Sequence, residues 1–76
     1  MYQFEELQHI ATISQDDFGT SMELKLVKVN GKHRIDLRKH LNGRSMKSGV
    51  CLKYTDAVEL VNQLTQFLET VNFANE

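Results

Sequence analysis

The strongest constraint on the fold is the dipeptide Asn30-Gly31, which lies between two runs of alternating side chains. Asn-Gly favours a two-residue type I′ turn, because both central residues of that turn must take positive φ. The run before it, Met22 to Val29, and the run after it, Lys32 to Leu41, have the period of two that is typical of strands. The sequence therefore predicts an antiparallel β-hairpin at the centre of the chain.

Two further strands are expected to flank this hairpin. The segment from Phe4 to Ser14 is rich in β-branched residues, which favour strands, and Gln15 to Gly19 has the composition of a turn. Beyond the hairpin, Asn42 to Gly49 is expected to be a polar loop, and Val50 to Tyr54 a short fourth strand. Four consecutive strands joined by short connections indicate an antiparallel meander.

A single helix is expected after the fourth strand. Either Thr55 or Asp56 is expected to cap it, since Asp56 and Glu59 have the spacing of a capping box. Its apolar residues recur at intervals of three and four, as in an amphipathic helix. These residues are Ala57, Leu60, Val61, Leu64, Phe67, Leu68 and Val71. The predicted fold is thus α+β, a four-stranded antiparallel meander followed by one C-terminal helix, in a single domain over residues 1–76.

The length of the chain and the width of the helical stripe both favour a homodimer. A chain of 76 residues buries only about 60% of its unfolded surface, and small cores are often completed by oligomerisation. The stripe is wider than one small sheet can cover, so its far end is expected to pack against a second copy. The residues expected at that dimer interface are Leu64, Phe67, Leu68 and Val71.

Charge is strongly segregated along the chain. All nine Lys and Arg residues lie between Lys25 and Lys53, where Asp36 is the single acid, so this segment carries a net charge of +8. Residues 1–24 carry −5 and residues 54–76 carry −4. Asymmetry of this kind favours a polyanionic partner. It is also compatible with a solvated surface in which the acidic flanks balance the basic segment.

Strand alternation predicts where part of this charge lies. On the third strand His33, Ile35 and Leu37 are expected under the helix, with His33 as a core residue, while Arg34 and Arg38 point to the uncovered face of the sheet. Lys25 of the second strand is expected on the same uncovered face. Asp36 lies between the two arginines and is expected to pair with them. A cationic sheet face is suited to binding the backbone of a single-stranded nucleic acid.

Three segments, taken in order, resemble the transcriptional coactivator family of positive cofactor four, especially its small bacterial and phage members. Lys32 to Arg38 resembles the family's strand that ends in Asp-Ile-Arg. Met46 to Leu52 resembles its Met-Lys-x-Gly loop and the short strand that follows, and Thr55 to Leu68 resembles its C-terminal helix. With the earlier strands, the resemblance extends over nearly the whole chain.

The resemblance implies a homodimer that binds single-stranded or melted DNA and acts with the transcription or replication machinery. Arg38 matches the DNA-contacting arginine of the family, and Lys47 falls in its basic loop. The chain departs from the family at His40 and Leu41, where an aromatic residue is common, and at Ser48, where lysine is common. Loss of base stacking would leave a more electrostatic binder. The cations expected to contact nucleic acid, DNA or RNA, are Lys25, Lys28, Arg34, Arg38, Arg44, Lys47 and Lys53.

No catalytic or metal-binding constellation is recognisable, so the chain is expected to be neither an enzyme nor dependent on a cofactor. Its three histidines and Cys51 lack the spacing of zinc ligands, and Cys51 is expected to be a small buried apolar residue. The alternative function is a small regulator that docks on an acidic protein partner or on RNA polymerase. A single cysteine and the absence of a membrane-spanning apolar run favour a cytoplasmic protein without a membrane partner.

Overall fold

The structure is a computed structural model that describes residues 3–71, and its elements follow the predicted order. The strands are β1 (Phe4–Gln15), β2 (Thr20–Val29), β3 (Lys32–Leu41) and β4 (Arg44–Leu52), and the helix is α1 (Tyr54–Thr70). The four strands form one antiparallel sheet in sequence order, β1-β2-β3-β4. This architecture confirms the predicted fold class. Within residues 3–71 there is no helix of the length and hydropathy needed to cross a membrane.

Two Asn-Gly turns connect the last three strands. Asn30 and Gly31 have φ values of 49° and 82°, as the sequence predicted for a type I′ turn. Asn42 and Gly43 have almost the same values, 51° and 83°. The expected polar loop over residues 42–49 was therefore wrong, because β4 begins immediately after this second turn, at Arg44.

Both edge strands of the sheet are bulged. In β1 the register with β2 shifts three times, and the extra residues are Leu7, Ile10 and Ile13. These apolar residues recur every three positions, and a strand with a period of two can place them on one face only by inserting a residue at each. In β4 the register with β3 shifts between the pairs Arg38–Gly49 and His40–Ser45. Bulges increase the local bend and twist, so the sheet coils rather than lying flat.

The register places apolar residues on one face of the sheet, beside α1. An apolar cavity of about 420 Å³ separates this face from the helix, and Ile10, Leu24, Ile35, Leu37 and Leu52 line its sheet side. No residue of α1 is fully buried, although Ala57, Leu60 and Val61 of its apolar stripe line this cavity. The helix therefore covers the sheet only loosely in a single copy of the chain.

Two local predictions about this side of the molecule were wrong. The helix begins at Tyr54 and its N-cap is Lys53, which has no side-chain capping bond, so neither Thr55 nor Asp56 caps it. His33 is exposed rather than part of a core, and it pairs with Lys28 near the Asn30-Gly31 turn, at the end of the sheet.

Candidate nucleic-acid interface

The opposite face of the sheet is polar, and we refer to it as the polar face. Cross-strand partners share a face, so the register assigns its residues directly. On β2 and β3 it carries the facing pairs Glu23–Arg38, Lys25–Asp36 and Val27–Arg34, and on β1 it carries Phe4, Glu6, His9 and Thr12. The predicted placement of Lys25, Arg34 and Arg38 on one surface is confirmed by this register.

The polar face is concave. Val27 is 0% exposed, Asp36 4% and His40 7%, although α1 lies on the other side of the sheet. A cavity of about 250 Å³ on this face is lined by residues of all four strands and of the second Asn-Gly turn. These residues are Phe4, Glu6, Lys25, Asp36, Arg38, His40, Gly43 and Ser45. Since Phe4 and Gly43 lie at diagonally opposite corners of the sheet, the sheet must coil towards this face to bring them to one cavity.

Arg38 is held in place by bonds from all three of its guanidinium nitrogens. Its Nε and Nη2 donate to the carboxylate of Asp36, with Nη2 at 3.2 Å from Oδ1. Its Nη1 donates to the main-chain carbonyls of Met46 and Lys47, at 3.1 and 2.9 Å. Those carbonyls belong to the bulge of β4, so Arg38 connects the bulge to β3 by hydrogen bonds. The expected pairing of Asp36 is confirmed for Arg38, whereas Arg34 instead donates to the carbonyl of His33.

Gly49 allows β4 to pass close to Arg38. A Cβ at this position would lie 2.6 Å from the carbonyl oxygen of Leu37 and 2.8 Å from Cα and Cβ of Arg38. These short contacts are with main-chain atoms and the Cβ attached to them, which cannot move away as the end of a flexible side chain can. A residue without a side chain is therefore required where the bulge of β4 returns to the ladder.

A second polar cluster surrounds the carboxylate of Glu23. Thr12 Oγ1 donates to Glu23 Oε1 at 2.7 Å, His9 Nε2 lies 2.8 Å from the same oxygen, and Ser21 Oγ donates to Glu23 Oε2. These hydrogen bonds, that of Ser21 foremost, lower the pKa of Glu23 to about 2. The cluster links β1 to β2 at the end of the polar face away from Asn30.

A third carboxylate of the polar face, that of Glu6, pairs with Lys25. The distance from Lys25 Nζ to Glu6 Oε1 is 2.5 Å, and this hydrogen bond lowers the pKa of Glu6. Lys25 and Arg38 thus each have a carboxylate partner on the polar face. Its floor is zwitterionic rather than simply cationic, a feature that the charge count of the sequence does not show.

The other cations make no ion pair with a carboxylate among residues 3–71. Arg34 lies on the polar face opposite Val27, with Lys32 two residues before it on the same strand. Lys47 lies in the bulge of β4, and Lys53 follows that strand in extended conformation. These four residues lie on β3, in the bulge of β4 or directly after β4, at the β3–β4 side of the sheet, and we refer to them as the rim cations.

Three cations lie elsewhere. Lys28 and Lys39 share the face of Leu24 and Leu26, beside the helix, because they pair with His33 and Met22. Arg44 pairs with Leu41 at the second Asn-Gly turn, one residue from the polar-face pair His40–Ser45. Among the residues predicted to contact nucleic acid, the register therefore groups Lys25, Arg34 and Arg38 and separates Lys28 and Arg44 from them.

Cys51 is exposed, contrary to the expectation of a small buried residue. It pairs with Asp36 from β4, an edge strand of the four-stranded sheet. Desolvation and, to a lesser degree, the charge of Asp36 raise the pKa of its thiol. A raised pKa disfavours the thiolate that a nucleophile requires. Among residues 3–71 no group of three or more His, Cys, Asp or Glu residues is placed to hold a metal ion.

The sequence alone did not show which aromatic ring lies on the polar face. Phe4 lines the cavity, whereas Phe18 lies in the β1–β2 turn and Tyr54 begins the helix. His40 is almost fully buried, so little of its ring is available for stacking. Phe4 could have been found from its pairing with Val29, but the shifts along β1 hide that register in the sequence.

A scan against models of protein families gave no match to this chain, and a search of curated proteins likewise gave none. The resemblance described above therefore depends on its three sequence segments.

Proposed function

We propose that this chain is a non-enzymatic, cytoplasmic protein that binds single-stranded nucleic acid as a homodimer. The observation that carries the proposal is a concave polar face, uncovered by the helix, with the rim cations Lys32, Arg34, Lys47 and Lys53 at the β3–β4 side of the sheet. A groove with cations along its border and an aromatic ring within it has the elements used to bind single strands. The resemblance to the positive cofactor four family supports DNA as the ligand and transcription or replication as the context.

The shape of the site favours a single strand over a duplex. Duplex DNA is read by a helix or a two-stranded ribbon that enters the major groove. Here α1 lies on the opposite side of the sheet, and the polar face curves inward. A flexible strand can follow such a concave surface and present its bases to it.

The homodimer is supported by apolar surface that one copy leaves uncovered. Leu64, Phe67 and Leu68 are each about half exposed on α1, and an apolar cavity remains between helix and sheet. Contiguous apolar surface of this kind marks an interaction site. A second copy would cover it symmetrically and extend the interface towards Val71.

Fluorescence anisotropy with a 15-nucleotide oligothymidine and a duplex of equal length tests the proposal. Binding to a single strand weakens with salt at a log–log slope of about 0.7 per phosphate neutralised, so four rim cations should give a slope of about 3. We expect the single strand to bind more tightly than the duplex. Binding that does not depend on salt, or that prefers the duplex, would exclude this mode.

Arg34→Ala and Lys39→Ala form a matched pair for the same assay. Each removes one cation that lacks a carboxylate partner within residues 3–71, but Arg34 lies on the polar face and Lys39 on the other. We expect Arg34→Ala to weaken binding and reduce the slope by about 0.7, whereas Lys39→Ala should leave both nearly unchanged. Equal losses would show that diffuse charge, and not the polar face, binds the strand.

The alternative, docking on an acidic protein or RNA polymerase, is favoured by one observation. Glu6, Glu23 and Asp36 make the floor of the polar face zwitterionic, a composition that is compatible with pairing to a protein surface. If no oligonucleotide binds, this alternative becomes the better explanation of the rim cations.

A further inference from the structure

The cavity on the polar face has one end where an aromatic ring and an ion pair lie together. Phe4 and Glu6 are alternate residues of β1 on this face, and Lys25 Nζ lies 2.5 Å from Glu6 Oε1. Phe4 is 51% exposed and the side chain of Glu6 is likewise 51% exposed, so both are accessible to a ligand. This end of the cavity therefore offers a ring for stacking and a donor beside an acceptor.

The size of the cavity restricts its occupant. Its volume is about 250 Å³, below the range of about 300–1,000 Å³ that is usual for sites of drug-sized ligands. A single flat base is a ligand of suitable size and shape, and every base can stack on a ring such as that of Phe4.

The distribution of charge determines how a strand would lie. The floor carries the carboxylates of Glu6, Glu23 and Asp36 together with two cations that pair with them, Lys25 and Arg38, whereas the rim cations have no carboxylate partner among residues 3–71. The rim cations attract phosphates more strongly than this balanced floor does. A bound strand is therefore oriented with its phosphates towards the rim cations and its bases towards the floor. Bases in that orientation present their hydrogen-bonding edges to the ion pair of Glu6 and Lys25.

We infer that this cavity takes one guanine of a bound single strand, an inference that rests on the proposed function. Guanine has the acceptor O6 next to two donors, N1–H and the N2 amino group. Lys25 would donate to O6, and the carboxylate of Glu6 would accept from both N1–H and the N2 amino group. Glu6 can do so while it remains paired with Lys25, because each carboxylate oxygen has two lone pairs. Thymine offers a single N–H and the other bases a single amino group, so only guanine makes the charge-assisted bidentate contact with the carboxylate.

Three fluorescent 15-nucleotide strands test the inference by anisotropy. One is oligothymidine, the second has a single central deoxyguanosine, and the third has a central deoxyinosine, which lacks the N2 amino group. We expect the deoxyguanosine strand to bind about tenfold more tightly than oligothymidine, within the range that a good bidentate contact provides, and inosine to lose most of that gain. A single guanine also avoids the four-stranded structures of guanine runs.

Glu6→Gln and Glu5→Gln are the matched variants. Each variant removes one negative charge, and the two residues are adjacent in the sequence. Glu5, however, lies opposite Lys28 of β2, on the other face of the sheet. For each variant, the measured quantity is the affinity for the deoxyguanosine strand divided by the affinity for oligothymidine. The lost charge affects both affinities alike, so it does not change this ratio. We expect Glu6→Gln to reduce this ratio to near one and Glu5→Gln to leave it at about ten.

The outcomes separate this inference from the proposed function. If oligothymidine binds with the expected salt dependence but guanine gives no gain, the guanine site is wrong and the proposed function stands. If inosine keeps the gain, or Glu5→Gln abolishes it, the assignment to Glu6 is wrong. If none of the three strands binds, both the function and the guanine site are excluded.

Discussion

Arg38 lies on the floor of the polar face and is also predicted to stabilise the fold, and Arg38→Ala tests this second role. The substitution removes the charge partner of Asp36, whose side chain is only 6% exposed, and the donors to the carbonyls of Met46 and Lys47. Asp36 would be left as an uncompensated carboxylate in the centre of the sheet. The bulge of β4 would lose its attachment to β3 at the same time.

The expected loss can be worked from the burial of the pair. Breaking a buried ion pair by removing one partner costs about 3–5 kcal/mol. The side chain of Arg38 is 24% exposed, and water can partly replace it, so the low end of this range, about 3 kcal/mol, applies. For a domain of this size each kcal/mol lowers Tm by roughly 4–8 °C, so Arg38→Ala should melt roughly 12–24 °C below the wild type.

Urea unfolding followed by circular dichroism is the appropriate assay, at one fixed protein concentration because association changes apparent stability. Lys39→Ala is the control, since Lys39 is exposed, lies on the other face and has no carboxylate partner among residues 3–71. It should change the free energy of unfolding by no more than about 0.5 kcal/mol. Adding Asp36→Ala to Arg38→Ala should recover part of the loss, because no carboxylate then remains buried without a partner.

A loss below about 0.5 kcal/mol for Arg38→Ala would refute this reasoning, because such values are typical of surface positions without a structural role. So would a double variant whose loss is the sum of the two single losses, since that result shows no coupling between Asp36 and Arg38. In either case Arg38 would be free to bind a phosphate, and its loss should then affect binding alone.

Further predictions concern the bulge, acid stability and assembly. Gly49→Ala should cost about 1–3 kcal/mol in urea unfolding, since its Cβ would overlap the backbone of Leu37, while Ser48→Ala should be nearly neutral. The pKa of Glu23 is about 2 in the folded chain and 4.5 ordinarily, so its contribution is full above about pH 4.5 and is lost as pH falls towards 2. Glu23→Gln should flatten the decline in stability across that window, and an unchanged decline would contradict the assignment. Sedimentation equilibrium at micromolar concentration should give twice the chain mass, and Leu68→Asp should give the monomer mass. A monomeric wild type would exclude the dimer.

The order of the elements was predictable because each strand and the helix has its own local pattern. Asn30-Gly31 predicted its turn correctly, and the apolar spacing of three and four predicted the helix. Asn42-Gly43 has the same turn-forming sequence as Asn30-Gly31. The serines and glycine that follow it have low strand propensity, so the first half of β4 was not predicted. Pairing with β3, and not intrinsic propensity, makes that segment a strand.

The candidate site was predictable only in part, because its partners come from distant parts of the chain. Strand alternation placed Lys25, Arg34 and Arg38 on one face. Glu6 is 19 residues from Lys25 in the sequence. The bulges of β1 determine which side chains of β1 lie on the polar face. A bulge has no fixed sequence signature, so the zwitterionic floor and the position of Phe4 required the structure.

The strand order has a consequence for how fast the sheet forms. Each strand pairs only with its neighbour in sequence, and two of the three connections are two-residue turns. Contacts between neighbouring segments close short loops, and proteins rich in such contacts fold faster than β-proteins with distant pairings. We expect the Asn30-Gly31 hairpin to form first and the edge strands to add to it, so refolding of the sheet should be faster than in sandwiches of similar size.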